Sequence, residues 1–137
     1  MINPKIKPIL KGGEVYLNKK KATRIETNEM RKIYFCGKYV IKIAGRDCLP
    51  EHNIDEGKLW EKVSRNKKLK KYFVPIINYG SKFVIQPKIY FRNPIRNRKQ
   101  YKVIKKVVDK FGLSDVYPEK NWGIKRNGQS VIFDYGL

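Results

Sequence analysis

Residues 31–44 read RKIYFCGKYVIKIA. Two runs rich in β-branched and aromatic residues, Arg31–Cys36 and Lys38–Ala44, flank Gly37, which predicts two strands joined by a tight antiparallel turn. Lys42 shares a strand face with Val40 and Ala44. That alternation turns it into a cleft, unless it is an ordinary solvent-facing lysine. Residues 45–52 read as a loop. Asn53-Ile54-Asp55-Glu56 then reads as a helix start, with an Asn cap and a Glu three positions on. Ile54, Leu59, Trp60 and Val63 lie on one side of that helix, and the basic run Lys62–Lys71 forms its far end.

Residues 1–13 read as an extended arm ending in the turn Gly12-Gly13, with a strand at Glu14–Leu17. Downstream, strands are expected at Val74–Tyr79 and Lys82–Gln86, joined through Gly80-Ser81. After a basic, proline-broken linker (residues 87–98), Tyr101, Ile104, Val107, Val108 and Phe111 fall at helical spacing. Lys99, Lys102, Lys105, Lys106 and Lys110 take the other side, and Gly112 ends the helix. The turn Asn127-Gly128 leads to a short strand, Val131–Phe133. This order predicts an α+β fold: a small antiparallel sheet with one packed helix, followed by a short second helix and a loop-rich C-terminal part.

The 137 residues are enough for one domain (1–137), and 41% hydrophobic content with 12% aromatic argues for a packed globule. Charge is the outlier. Thirty-two Lys+Arg against twelve Asp+Glu give +20, spread through the whole chain. A field of that size draws in polyanions, so nucleic acid or an acidic protein is the partner class that composition suggests; a solubilising surface is the other reading. Cys36 and Cys48 are not closely spaced and His52 is the single histidine. A structural zinc site needs four such ligands, so that class is excluded, and isolated thiols fit a reducing compartment. No signal-peptide core or membrane span is legible, which predicts a cytoplasmic protein.

The C-terminal segment Asn121-Trp122-Gly123-Ile124, followed by Val131-Ile132-Phe133-Asp134-Tyr135-Gly136, resembles the catalytic-loop Asn and DFG motif of protein kinases. Tyr39–Ala44 resembles that family's V-A-I-K strand, with Glu56 on the next helix in the position of the lysine's partner. Phe83-Val84-Ile85-Gln86-Pro87 resembles the strand leading into the nucleotide hinge. The ordered set is similar to compact kinase-like proteins encoded by bacteriophages. The resemblance implies a minimal protein-kinase-like fold, with an N-lobe-like part at 1–86 and a much reduced C-terminal lobe at 87–137. It implies ATP and Mg²⁺ as cofactors, Lys42 on the phosphates and Glu56 as its ion-pair partner. Gln86 and Lys88 would present backbone groups to adenine, and Asn121 and Asp134 would be the metal ligands. Asp115 would act as the catalytic base. A phage origin would place the protein in the host cytoplasm.

Other readings of these residues stay open. Glu56 also fits the third position of the capping box, and Asn121 and Asp134-Tyr135-Gly136 also fit turns. The sequence departs from the family pattern in three ways. Asp115 lies six positions before Asn121 instead of five, no His-Arg pair precedes it, and Glu119 is a second candidate. No G-x-G-x-x-G loop is found, and Lys19, Lys20, Lys21 and Arg24 stand where it is expected. The sequence stops three residues after Asp134, so the peptide-binding platform of ordinary protein kinases is not expected. Three functions follow: an ATP- and Mg²⁺-dependent phosphotransferase, a pseudokinase serving as a basic binding module for nucleic acid or an acidic protein, or a structural or interaction protein that keeps the fold and neither activity.

Overall fold

The computed structural model describes residues 2–27, 31–45, 49–89, 98–112, 122–125, 127–133 and 135. The chain is α+β, and its described residues form antiparallel sheets and two α-helices. It divides into two compact units, Met1–Lys58 with Ile76–Lys88, and Leu59–Pro75 with Ile89–Leu137.

In the first unit, strands β1 (Pro8–Lys11), β2 (Glu14–Leu17) and β3 (Lys20–Lys21) form a small sheet. The amino-terminal stretch expected as an arm is thus half of a hairpin. Gly12 and Gly13, with φ of 59° and 77°, supply the two left-handed residues that a two-residue hairpin turn requires. Strands β4 (Thr23–Thr27), β5 (Arg31–Cys36), β6 (Tyr39–Ala44), β7 (Asn78–Tyr79) and β8 (Phe83–Pro87) form a second sheet, in the order β4-β5-β6-β8-β7. β5 and β6 are the hairpin legible in residues 31–44: Cys36 pairs with Tyr39 across the turn, and Gly37 takes a φ of 59°.

The expected strand Val74–Tyr79 is mostly replaced by irregular backbone. Pro75 has no N–H to offer a ladder, the Val74 N–H donates to Ile132 O at 2.8 Å, and only Asn78–Tyr79 pair with β8. The basic residues Lys20 and Lys21 belong to the small sheet and Arg24 to the large one, so Lys19 to Arg24 is not one loop. The turn Asn18-Lys19 has both residues at positive φ, 53° and 65°.

Register sorts the large sheet into two faces. Tyr34, Cys36, Ile41, Ile43 and Ile85 pack with Val15, Leu17 and Ala22 of the neighbouring elements into one apolar core. The opposite face carries Arg31, Ile33 and Phe35 from β5, Val40 and Lys42 from β6, and Val84 and Gln86 from β8. Helix α1 (Pro50–Ser64) packs on this second face through its first half: Gly57 lies under the Tyr79 ring.

Helix α1 begins at Pro50, not at Asn53. Proline at the first helical position has no N–H to leave unsatisfied, and its fixed φ suits the helix; Glu51 adds favourable charge to the first turn. Asn53 and Glu56 are therefore interior helical residues, both at 0% exposure, and the capping-box reading of that pair does not hold.

In the second unit, α2 (Arg98–Lys110) ends before Gly112, whose φ of 65° closes the helix as expected. Strands β9 (Trp122–Ile124) and β10 (Ser130–Ile132) form a hairpin. The core of this unit gathers Trp60, Val63, Phe73, Val74, Ile104, Val107, Val131, Ile132 and Tyr135. Phe73 meets Phe111 and Tyr135 edge-on, with centroids 6.2 and 5.0 Å away. The middle residue of the D-Y-G motif is thus a core residue, and its hydroxyl donates to Val74 O at 2.8 Å.

Candidate functional site

The second face of the large sheet contains a buried cluster of charge. β6 places Lys42 at 3% exposure, because helix α1 covers that face, and α1 places Glu56 opposite it. Lys42 Nζ donates to Glu56 Oε1 at 2.9 Å. A second cation shares the same carboxylate. Arg31, the first residue of β5, donates through Nη2 to Glu56 Oε2 at 3.2 Å and through Nη1 to Oε1 at 3.5 Å. Arg31 Nη1 also donates to Asn53 Oδ1 at 3.2 Å, and Asn53 Nδ2 donates to Ser81 O at 3.1 Å. One turn of α1, carrying Asn53, Glu56 and Gly57, is thus tied to β5, β6 and the residues before β8.

Burial pushes the Glu56 carboxyl upward, but the charges of Arg31 and Lys42 and their hydrogen bonds outweigh it and lower its pKa from 4.5 to about 2. A carboxylate depressed in the folded state contributes stability above its unfolded pKa and loses that contribution as pH falls toward its folded one. In urea titrations of the wild type and Arg31→Gln, the wild type is expected to unfold at higher urea above pH 4.5. The gap between them should narrow steadily toward pH 2. A gap that widens on acidification would contradict the cluster's electrostatics.

Gln86 lies on the same face as Lys42 and is 2% exposed; it pairs with Val40 across β6 and β8. Just past the end of β8, Lys88 Nζ sits 4.2 Å above the Phe35 ring, a cation–π contact. The Lys88 backbone N–H donates to Lys38 O at 2.8 Å, so that N–H is already committed. Lys42, Gln86 and Phe35 therefore share one face of the sheet.

Asp115, Asn121 and Asp134 lie outside the described residues. Among the described residues no group of three or more His, Cys, Asp and Glu side chains could hold a metal ion. No described helix is long and apolar enough to cross a membrane. Arg31 and Asn53 are the two site residues that sequence reasoning missed. Arg31 was legible only as a strand start; the hairpin register that sets Ile33 opposite Lys42 also puts Arg31 on the lysine's face. Asn53 was legible as a cap, and its spacing of three from Glu56 was the signal that both share a helix face.

No family model matches the chain, and no curated protein matches it.

Proposed function

We propose that this protein is a protein-kinase-like domain that binds ATP with Mg²⁺ and transfers its terminal phosphoryl group. The observation that carries this reading is the Lys42–Glu56 ion pair at 2.9 Å. The lysine stands on the third strand of a five-stranded antiparallel sheet, and its partner stands on the helix that follows. In protein kinases a strand lysine paired with a helix glutamate has this arrangement and holds the nucleotide phosphates. The sequence motifs around Asn121 and Asp134 support the same reading independently.

Phosphoryl transfer is mainly a matter of positioning and charge neutralisation. Glu56 fixes the ammonium of Lys42 at a set point on the sheet face, and Lys42 neutralises phosphate charge there. Gln86 stands further along the same face, and it and the Lys88 carbonyl, just past the end of β8, would offer backbone groups to the adenine. Asn121 and Asp134 supply an amide and a carboxylate oxygen, hard ligands suited to Mg²⁺. Held there, a metal ion would supply charge neutralisation for the transferring group. Asp115 orients the acceptor hydroxyl.

Isothermal calorimetry tests this. The wild type is expected to bind ATP more tightly with Mg²⁺ than without it. Lys42→Met should weaken Mg²⁺–ATP about 10- to 100-fold, the worth of a charge-assisted hydrogen bond of about 1.5–3 kcal/mol. Asp115→Asn should leave binding intact and remove transfer. Undiminished Mg²⁺–ATP affinity in a folded Lys42→Met protein would sink the site. Binding by the wild type with no transfer to any acceptor would leave a pseudokinase.

A further inference from the structure

The geometry points to the exposed side of α2 as a docking surface for the phosphate backbone of duplex nucleic acid. This inference does not rest on the proposed phosphoryl transfer. The second unit is the more basic of the two, with 17 of the 32 Lys+Arg and only 5 of the 12 Asp+Glu. Within it α2 concentrates charge: Arg98, Lys99, Lys102, Lys105, Lys106 and Lys110 against the single acid Asp109.

The helix is anchored from its other side. Ile104 and Val107 are buried. The Gln100 side chain accepts from Ser130 N at 2.5 Å, and Lys62 Nζ lies 5.7 Å from the Phe111 ring centroid. With the apolar side committed to the core, Lys99, Lys102, Lys106 and Lys110 are all exposed. Their spacing of three, four and four residues puts them in one stripe along the helix.

The spacing favours a regular polyanion over an acidic protein patch. At about 1.5 Å per residue the stripe runs roughly 16 Å. A duplex carries one phosphate per about 3.4 Å along each strand, so the stripe spans about five phosphates of one strand. Lysine ammonium groups act as compact point charges on flexible stems, which suits phosphate contacts that carry no base sequence. Lys110 in the last turn is also favoured by the negative end of the helix dipole, which helps keep that end ordered.

The test compares two variants of equal net charge on a 24-base-pair duplex of arbitrary sequence, by fluorescence anisotropy from 50 to 300 mM salt. One is Lys99→Gln/Lys102→Gln/Lys106→Gln/Lys110→Gln. The other neutralises four exposed lysines of the first unit, Lys5→Gln/Lys7→Gln/Lys11→Gln/Lys58→Gln. Each phosphate contact contributes about 0.9 to the slope of log K against log salt. The stripe variant is therefore expected to lose roughly 3 to 4 from the wild-type slope, about a 100-fold change in affinity across a four-fold change in salt. The control should keep the wild-type slope within about one contact. Should the quadruple variant lose its helix by circular dichroism, Lys99→Gln/Lys106→Gln and Lys102→Gln/Lys110→Gln each read half of the loss. Equal slopes in stripe and control variants would overturn the proposal, because the charge would then act as a diffuse field. So would no wild-type binding at 50 mM salt. Competition by polyglutamate as effective as by the duplex would overturn it too, making the surface a dock for acidic protein.

Discussion

Replacing Glu56 by Gln is expected to lower the melting temperature by about 10–20 °C, the largest single effect that the described residues predict. Glu56 is fully buried, and its carboxylate is shared by Lys42 at 2.9 Å and Arg31 at 3.2 Å. The lysine side chain is 4% exposed and the arginine 12%. Taking charges this far from water is costly, and the shared carboxylate offsets that cost. Removing one member of a buried ionic cluster typically destabilises by about 3–5 kcal/mol, since the remaining charges stay buried. At about 3–5 °C per kcal/mol for a chain of 137 residues, the shift is about 10–20 °C. Lys42→Met should cost less, because Arg31 continues to hold Glu56. The triple variant Arg31→Leu/Lys42→Met/Glu56→Leu should recover much of the loss, since apolar replacements of buried ionic groups are often neutral. Thermal unfolding followed by circular dichroism distinguishes these. A shift under about 4 °C for Glu56→Gln would mean that the cluster contributes little to the fold.

The hairpin at the centre of the sheet was legible because two local signals agree there: the alternation along residues 31–44 and the glycine at the turn. The apolar side of α2 was legible for the same reason, since Ile104 and Val107 repeat at helical spacing and Gly112 closes the helix. Where local signals compete, the sequence misleads. Asn53-Ile54-Asp55-Glu56 matches a helix cap, but Pro50 starts the helix one turn earlier and turns both polar residues inward. Their apparent capping pattern is a consequence of sharing the face that meets Arg31 and Lys42.

Long-range pairing was the least legible. Nothing within several residues of Val74 announces that its N–H will be taken by Ile132, 58 positions on. Nothing near Arg31 announces a carboxylate 25 residues away. Such contacts are set by which strands become neighbours, and single-strand patterns do not encode that. The site was therefore half legible: Lys42 and Glu56 through resemblance to a known lysine–glutamate pair, Asn53 only as a helix cap and Arg31 only as a strand start.

Gly57→Ala is the second prediction with a large effect, and its sign runs against the usual rule. In a helix interior, glycine to alanine ordinarily stabilises by about 0.5–1 kcal/mol through backbone entropy. Gly57 is buried in the middle of α1, and a Cβ built there would overlap Cγ, Cδ1 and Cδ2 of the Tyr79 ring. Tyr79 is held in β7 opposite Val84, so ring and helix meet at the distance a bare glycine permits. Accommodating a methyl requires either the ring or the helix to move, and overpacking of this kind costs about 1–3 kcal/mol. The preceding residue is Glu56, so a helix pushed off the sheet also stretches the Lys42 contact. The expected result is a destabilised Gly57→Ala protein and, under the proposed function, weakened Mg²⁺–ATP affinity. Cutting back the ring should remove the conflict. In a Tyr79→Ala background, itself less stable than wild type, Gly57→Ala should become neutral or stabilising. Urea denaturation of the four proteins gives the coupling between the two positions directly. If Gly57→Ala stabilises the wild type, or if its effect is the same with and without the Tyr79 ring, the glycine is not there to let helix and sheet approach.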